Sequence, residues 1–151
     1  MDLLQIANQL TPPADLQFNV GGISFFTSSE IEQEQIGYAG QNWNAHWLVV
    51  ARESACGDPV FVDTEQDHLP VFTAMHGMGY WKPEMIAKSW ASFIEAVEFI
   101  RPFTRGREHP VDLETHPFSL SERDAIRLGL EHVLGQRVPD FWEPYYEDGE
   151  S

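Results

Sequence analysis

The chain has 151 residues, 42% of them hydrophobic and 13% aromatic, which supports one folded core and leaves little room for a second. Nine basic residues against 24 acidic ones give a formal net charge of −15. Such a field repels phosphate backbones and anionic membrane surfaces, so direct binding to nucleic acid or membrane is excluded. It either serves solubility, the commoner role of an acidic surface, or steers a basic partner protein.

The charge is uneven. No Lys or Arg precedes Arg52, and the basic residues gather later, from Lys82 and Lys88 to Arg127 and Arg137. The one cysteine, Cys56, rules out an intramolecular disulfide and fits a reducing compartment. The opening MDLLQIANQL starts with an acid where a signal peptide carries basic residues, and nothing approaches the roughly 20 apolar residues of a membrane span. The expectation is a cytoplasmic protein.

In chain order, Leu3, Leu4, Ile6, Ala7 and Leu10 recur at helical spacing until Pro12-Pro13. Gly21-Gly22 reads as a turn before a short strand over 23–27. Ser29 with Glu32 forms a capping-box pattern for a short helix that Gly37 would stop. A loop over 38–44 holds Trp43. Three strands follow at 46–52, 59–64 and 70–76, with Gly57-Asp58-Pro59 as a sharp corner and Asp63 at a strand end. The nearly continuous apolar runs LVVA and VFV predict that both faces of this sheet are partly covered.

Gly77-Met78-Gly79 is a hairpin turn, and 80–87 predicts an irregular strand that Pro83 confines to an edge or bulge. Ser89 caps a helix whose stripe is Trp90, Phe93, Ile94, Val97 and Ile100, with Pro102 as its stop. Residues 104–118 read as an exposed connection. Ser121 with Asp124 caps a second late helix with Ile126, Leu130, Val133 and Leu134 on one stripe, ended by Gly135 and Pro139. The last segment carries Phe141, Trp142, Tyr145 and Tyr146, so Phe141 and Trp142 are expected to dock and 148 onward to fray. The fold class is α+β in a single domain over 1–151, with a mostly antiparallel, alternatively mixed, sheet of about four to six strands flanked by helices. Its core spans about 20–102, a connection 103–120, a C-terminal helical region 121–146 and a frayed acidic tail 147–151.

Candidate chemistry is sparse. Asp58, Asp63, Glu65 and Asp67 fall close together, as an acid/base pair or hard-metal site would, but the spacing lacks the Gly and Glu of a calcium loop. The structural reading is the stronger one: Asp58 tightens the Gly-Asp-Pro turn and Asp63-Thr64 caps a strand end. None of the six histidines forms a metal-binding pair, the serines sit in no nucleophile elbow, and no phosphate loop is present. No cofactor and no metal are expected. Among the aromatics, Trp47 and Trp90 read as core, while Trp43, Tyr80 and Trp81 lie in loops and turns and are candidate partner-binding anchors.

The ordered set Gly21-Gly22 plus strand, the acidic helix ending Ile36-Gly37-Tyr38, Trp47-Leu48-Val49-Val50 and Gly57-Asp58-Pro59-Val60-Phe61-Val62-Asp63 resembles the SUKH superfamily, in the branch of the fungal Smi/Knr cell-wall regulator. Pro70-Val71-Phe72 with His76-Gly77, Ile86-Ala87-Lys88-Ser89-Trp90 and the closing Phe141-Trp142 continue the resemblance. The family usually opens with a longer helix and a Leu-Pro step, compressed here into residues 2–20. The resemblance implies an α+β interaction domain without catalytic machinery, and many bacterial relatives are immunity proteins that neutralise a co-encoded toxin, often a nuclease.

The leading expectation is therefore a non-enzymatic immunity protein that binds a basic toxin domain, or another basic protein, and occludes it. Trp43, Tyr80 and Trp81 would serve as anchors and Asp58, Asp63, Glu65 and Asp67 as charge. The rival is a small-molecule-binding or hydrolytic enzyme with a pocket near residues 58–67 and His76. Oligomeric state is open.

Overall fold

Six strands in a simple up-and-down meander form the frame. The computed structural model describes residues 2–40 and 42–147. The strands are β1 (Leu16–Phe18), β2 (Gly21–Phe25), β3 (Trp47–Glu53), β4 (Pro59–Asp63), β5 (Val71–Thr73) and β6 (Glu84–Ala87). They pair in sequence order, every neighbour antiparallel. Among the described residues the helices are α1 (Leu3–Gln9), α2 (Ser28–Tyr38), α3 (Trp90–Thr104), α4 (Asp112–Thr115), α5 (Leu120–Leu134) and a 3-10 helix (Asp140–Tyr145). This is an α+β single-domain fold, and none of these helices is long and apolar enough to cross a membrane.

The central strands are buried on both faces, as their apolar runs require: Val60, Phe61, Val62 and Val71 are all fully inaccessible. One side of the core is closed by Phe93 of α3, which packs on Phe25 and on Trp142. Trp142 is itself fully buried, and its indole N–H donates to the Ile86 carbonyl at 2.9 Å. That bond carries the 3-10 helix onto β6 and explains why the aromatic C-terminal segment docks. The expected fraying from 148 onward lies outside the described residues. Glu147, placed in the frayed tail by the sequence, still donates its amide to the Glu143 carbonyl.

Several boundaries differ from the sequence reading. Gly21-Gly22 is strand, and the turn falls on Asn19-Val20 because β1, unforeseen, pairs with β2. Gly22 has φ +124°, and a Cβ there would stand 1.9 Å from the Leu16 carbonyl oxygen, so the close β1–β2 approach demands glycine. Helix α2 is capped by Thr27 with Glu30, not Ser29 with Glu32, and it runs through Gly37 to Tyr38. Helix α3 continues past Pro102 to Thr104, so the proline does not stop it but leaves only two further helical residues. Helix α5 is capped by Ser119 with Glu122, one turn residue pair earlier than Ser121 with Asp124.

The segment 104–118 is no plain exposed connection. It holds α4 and a buried Arg107, 4% exposed, whose guanidinium donates to the carbonyls of Phe103, His116 and Pro117. Edge strand β6 begins right after Pro83, where a missing N–H costs no ladder bond.

Candidate binding surface

Side chains alternate across a strand, so Phe61, opposite Val49 and Phe72 in the ladder, faces away from Val60 and Val62. On that face an aromatic layer is built from distant segments. Phe61 stacks on Phe72 with ring centres 5.9 Å apart and lies 4.9 Å from Trp47. Trp43 folds back from the 39–46 loop and meets Phe61, Trp47 and Trp81 edge-on at 4.8, 5.1 and 5.1 Å. Its indole N–H donates to the Trp47 carbonyl at 3.1 Å. Tyr38, at the end of α2, completes the layer 4.6 Å from Trp43, and burial, followed by the charge of Glu34, pushes its phenol up.

The layer is only partly covered. Phe61 is fully buried, while Trp43, Trp47, Phe72 and Trp81 are half-buried; Met85, opposite Phe72 in the ladder, is 40% exposed, and Tyr80, next to Trp81 in the chain, is 54% exposed. Of the three expected anchors, only Tyr80 is fully at the surface; Trp43 and Trp81 spend one face on the domain itself. Trp47 and Trp90, read as core, are likewise half-buried. Phe72 and Met85 belong to this surface and were not anticipated, because their membership depends on strand register across β4, β5 and β6.

The four candidate carboxylates separate into two groups. Asp58 precedes β4 and Asp63 is its last residue, so the two stand roughly 15 Å apart along an extended strand. Asp58 accepts from the His76 amide at 3.2 Å and pairs with His76 Nδ1 at 2.6 Å. At the other end, Asp63 accepts from the Glu65 amide at 3.0 Å and from Gln66 Nε2 at 3.1 Å, a local cap of the strand end. Glu65 lies 3.5 Å from His46 Nε2, and Asp67 is exposed with no partner among the described residues.

The groups expected to share a pocket are not all brought together: His76 joins Asp58, at the opposite end of β4 from Asp63. No hydroxyl or thiol hydrogen-bonds His76 among the described residues, and no three of their His, Cys, Asp and Glu side chains are grouped to hold a metal. Trp47 stands opposite Asp63 in the ladder, so the tryptophan layer and the Asp63–Glu65 end adjoin. No family model, no curated protein and no solved structure matches this chain.

Proposed function

We propose that this chain is a non-enzymatic protein-binding domain that occludes a basic partner, in the manner of the immunity proteins that its sequence resembles. The observation that carries the reading is the half-exposed aromatic layer on the Phe61 face, with Met85 opposite Phe72 and the Asp63–Glu65 turn at its end, and with Tyr80 and Asp67 exposed on the adjoining chain. Rigid aromatics that present one face to solvent supply the anchors from which interfaces draw most of their energy. A net charge of −15 accelerates encounter with a cationic surface and competes with any anionic substrate bound there. The partner this favours is a basic toxin domain of the nuclease kind, and the action on it is steric.

The test is coexpression and binding with a basic toxin domain of the nuclease kind. Tyr80→Ala or Trp81→Ala should each cost the complex roughly 2 kcal/mol. Reversing Glu65 and Asp67 to lysine should mainly slow association and flatten its salt dependence. Binding that ignores both salt and these four positions would refute the reading.

A further inference from the structure

All six strands bring one end to the same side of the sheet, and there the 3-10 helix leans over the β1–β2 hairpin and the β3–β4 turn. Between them lies a cavity of about 360 Å³, within the range of small-ligand sites. Its apolar lining includes Phe18, Phe141 and Pro144. Its charged lining is of one sign: Glu53, Asp58, Glu84 and Asp140 all border it, with no Lys, Arg or His among the described lining residues.

These carboxylates are not equivalent. Glu53 is occupied by the turn, accepting from the amides of Ala55 and Cys56, both at 2.8 Å, and Asp58 is held by His76. The Glu84 carboxylate has neither an ion pair nor a hydrogen bond among the described residues. Asp140 is crowded by another acid: the Glu143 carboxyl is pushed up first by desolvation and then by Asp140. A second observation points the same way. Tyr145 lines the cavity although it is only 5% exposed, and its hydroxyl has no hydrogen bond among the described residues. Burial and then the charge of Glu53 hold its proton on.

We propose that this cavity is a binding site for an alkyl cation, an alkylguanidinium or alkylammonium whose stem lies along Phe18, Phe141 and Pro144 and whose N–H donors meet Glu84, Asp140 and the Tyr145 oxygen. A guanidinium has several donors and a flat weakly hydrated body, so it satisfies separated acceptors better than a compact ammonium. No three of the described His, Cys, Asp and Glu side chains are grouped as a metal site, which favours an organic cation here over a metal ion. The chemistry is shared by a free small molecule and by an Arg side chain on a partner. The site does not depend on the protein-binding reading above, since it lies at the strand ends and not on the Phe61 face.

The experiment is an NMR titration of the intact chain with n-butylguanidinium, n-butylammonium and pentanoate, followed by an acetylated, amidated Gly-Gly-Arg-Gly-Gly peptide. Butylguanidinium should shift the amides of Gly21, Ala55 and Cys56 saturably, butylammonium more weakly, and pentanoate not at all. Glu84→Gln with Asp140→Asn should weaken butylguanidinium about tenfold, with the unfolding midpoint of the variant showing that it is folded. Binding of the small cation without the peptide assigns the site to a free molecule, and binding of both assigns it to an Arg side chain. Equal shifts with pentanoate, no saturable shift with butylguanidinium, or full affinity in the folded double variant would each overturn the proposal.

Discussion

The side-chain amide of Gln35 takes the place of a neighbouring strand against Val49. Strand β2 pairs only with the last three residues of β3, which leaves the first part of β3 without a partner on that side. There Gln35 Oε1 accepts from the Val49 amide at 3.2 Å, and Nε2 donates to the Trp47 carbonyl at 2.6 Å. A primary amide offers the same donor and acceptor pair as a peptide group, so one residue of α2 stands in for a rung of sheet.

Gln35→Leu should therefore destabilise the domain by about 2 kcal/mol, the penalty for a part-buried amide left without a partner. Gln35→Glu keeps the acceptor but sets a carboxylate oxygen where Nε2 lay 2.6 Å from the Trp47 carbonyl, and it should cost at least as much at neutral pH. Urea unfolding checks both. A Leu variant as stable as the parent would show that water replaces the bridge at no cost.

How much of this was legible in the sequence follows from where each signal resides. The meander, helix α3 and the docking of Trp142 were readable, since apolar runs, Ser89 and the aromatic tail are local patterns. The helix starts were ambiguous because Thr27-x-x-Glu30 and Ser29-x-x-Glu32 are both capping boxes. The choice is made outside the motif: Phe26 is buried and donates to the Val50 carbonyl, so the chain stays extended until Thr27. The same holds at α5, where Phe118, stacked on Phe18 and lying 4.1 Å beneath the Arg107 guanidinium, fixes Ser119 as the cap. The aromatic layer was glimpsed only through its loop tryptophans. The cavity at the strand ends was invisible, because its lining comes from segments that only the completed sheet brings together.

Arg107 should tolerate no replacement. Its guanidinium is 4% exposed and reaches three carbonyls, the Glu122 carboxylate at 3.3 Å and the face of Phe118. Lysine cannot match a planar fork of five donors, so Arg107→Lys should cost roughly 3 kcal/mol, close to the cost of Arg107→Met. Thermal unfolding of the two variants tests this. A lysine variant within about 0.5 kcal/mol of the parent would mean that charge alone is required.

Glu122 links that hub to pH. Its carboxyl is held below the ordinary range, first by the hydrogen bond from the Ser119 amide, which outweighs the opposing desolvation, and then by Arg107. Its value is thus lower folded than unfolded. The stability it contributes is complete above the unfolded value and is lost as pH falls through the folded one. Glu30, lowered by the Thr27 amide, acts in the same sense, whereas Glu143, raised by desolvation and Asp140, acts in the opposite one. The stability gap between the parent and Glu122→Gln should be largest near about pH 7 and should narrow towards about pH 3. A gap that stays constant across that interval would show that the carboxylate's charge contributes nothing.

The α3–α5 contact is set by Gly129. A Cβ at this position would lie 2.0 Å from Phe99 Cζ and 2.5 Å from Cε2, so the ring occupies the space that any larger residue needs. Glycine inside a helix gives up about 1 kcal/mol relative to alanine, and here the close approach of Phe99 outweighs that loss. Gly129→Ala should destabilise by about 1–2 kcal/mol, because a half-buried ring must swing out or push the helices apart. On a Phe99→Ala background the clash is gone and only propensity remains, so the same substitution should become stabilising by about 1 kcal/mol. A double-mutant cycle in urea reads the reversal directly. If Gly129→Ala has the same sign in both backgrounds, the ring is not what selects glycine, and the spacing of α3 and α5 must be set by residues elsewhere in their interface.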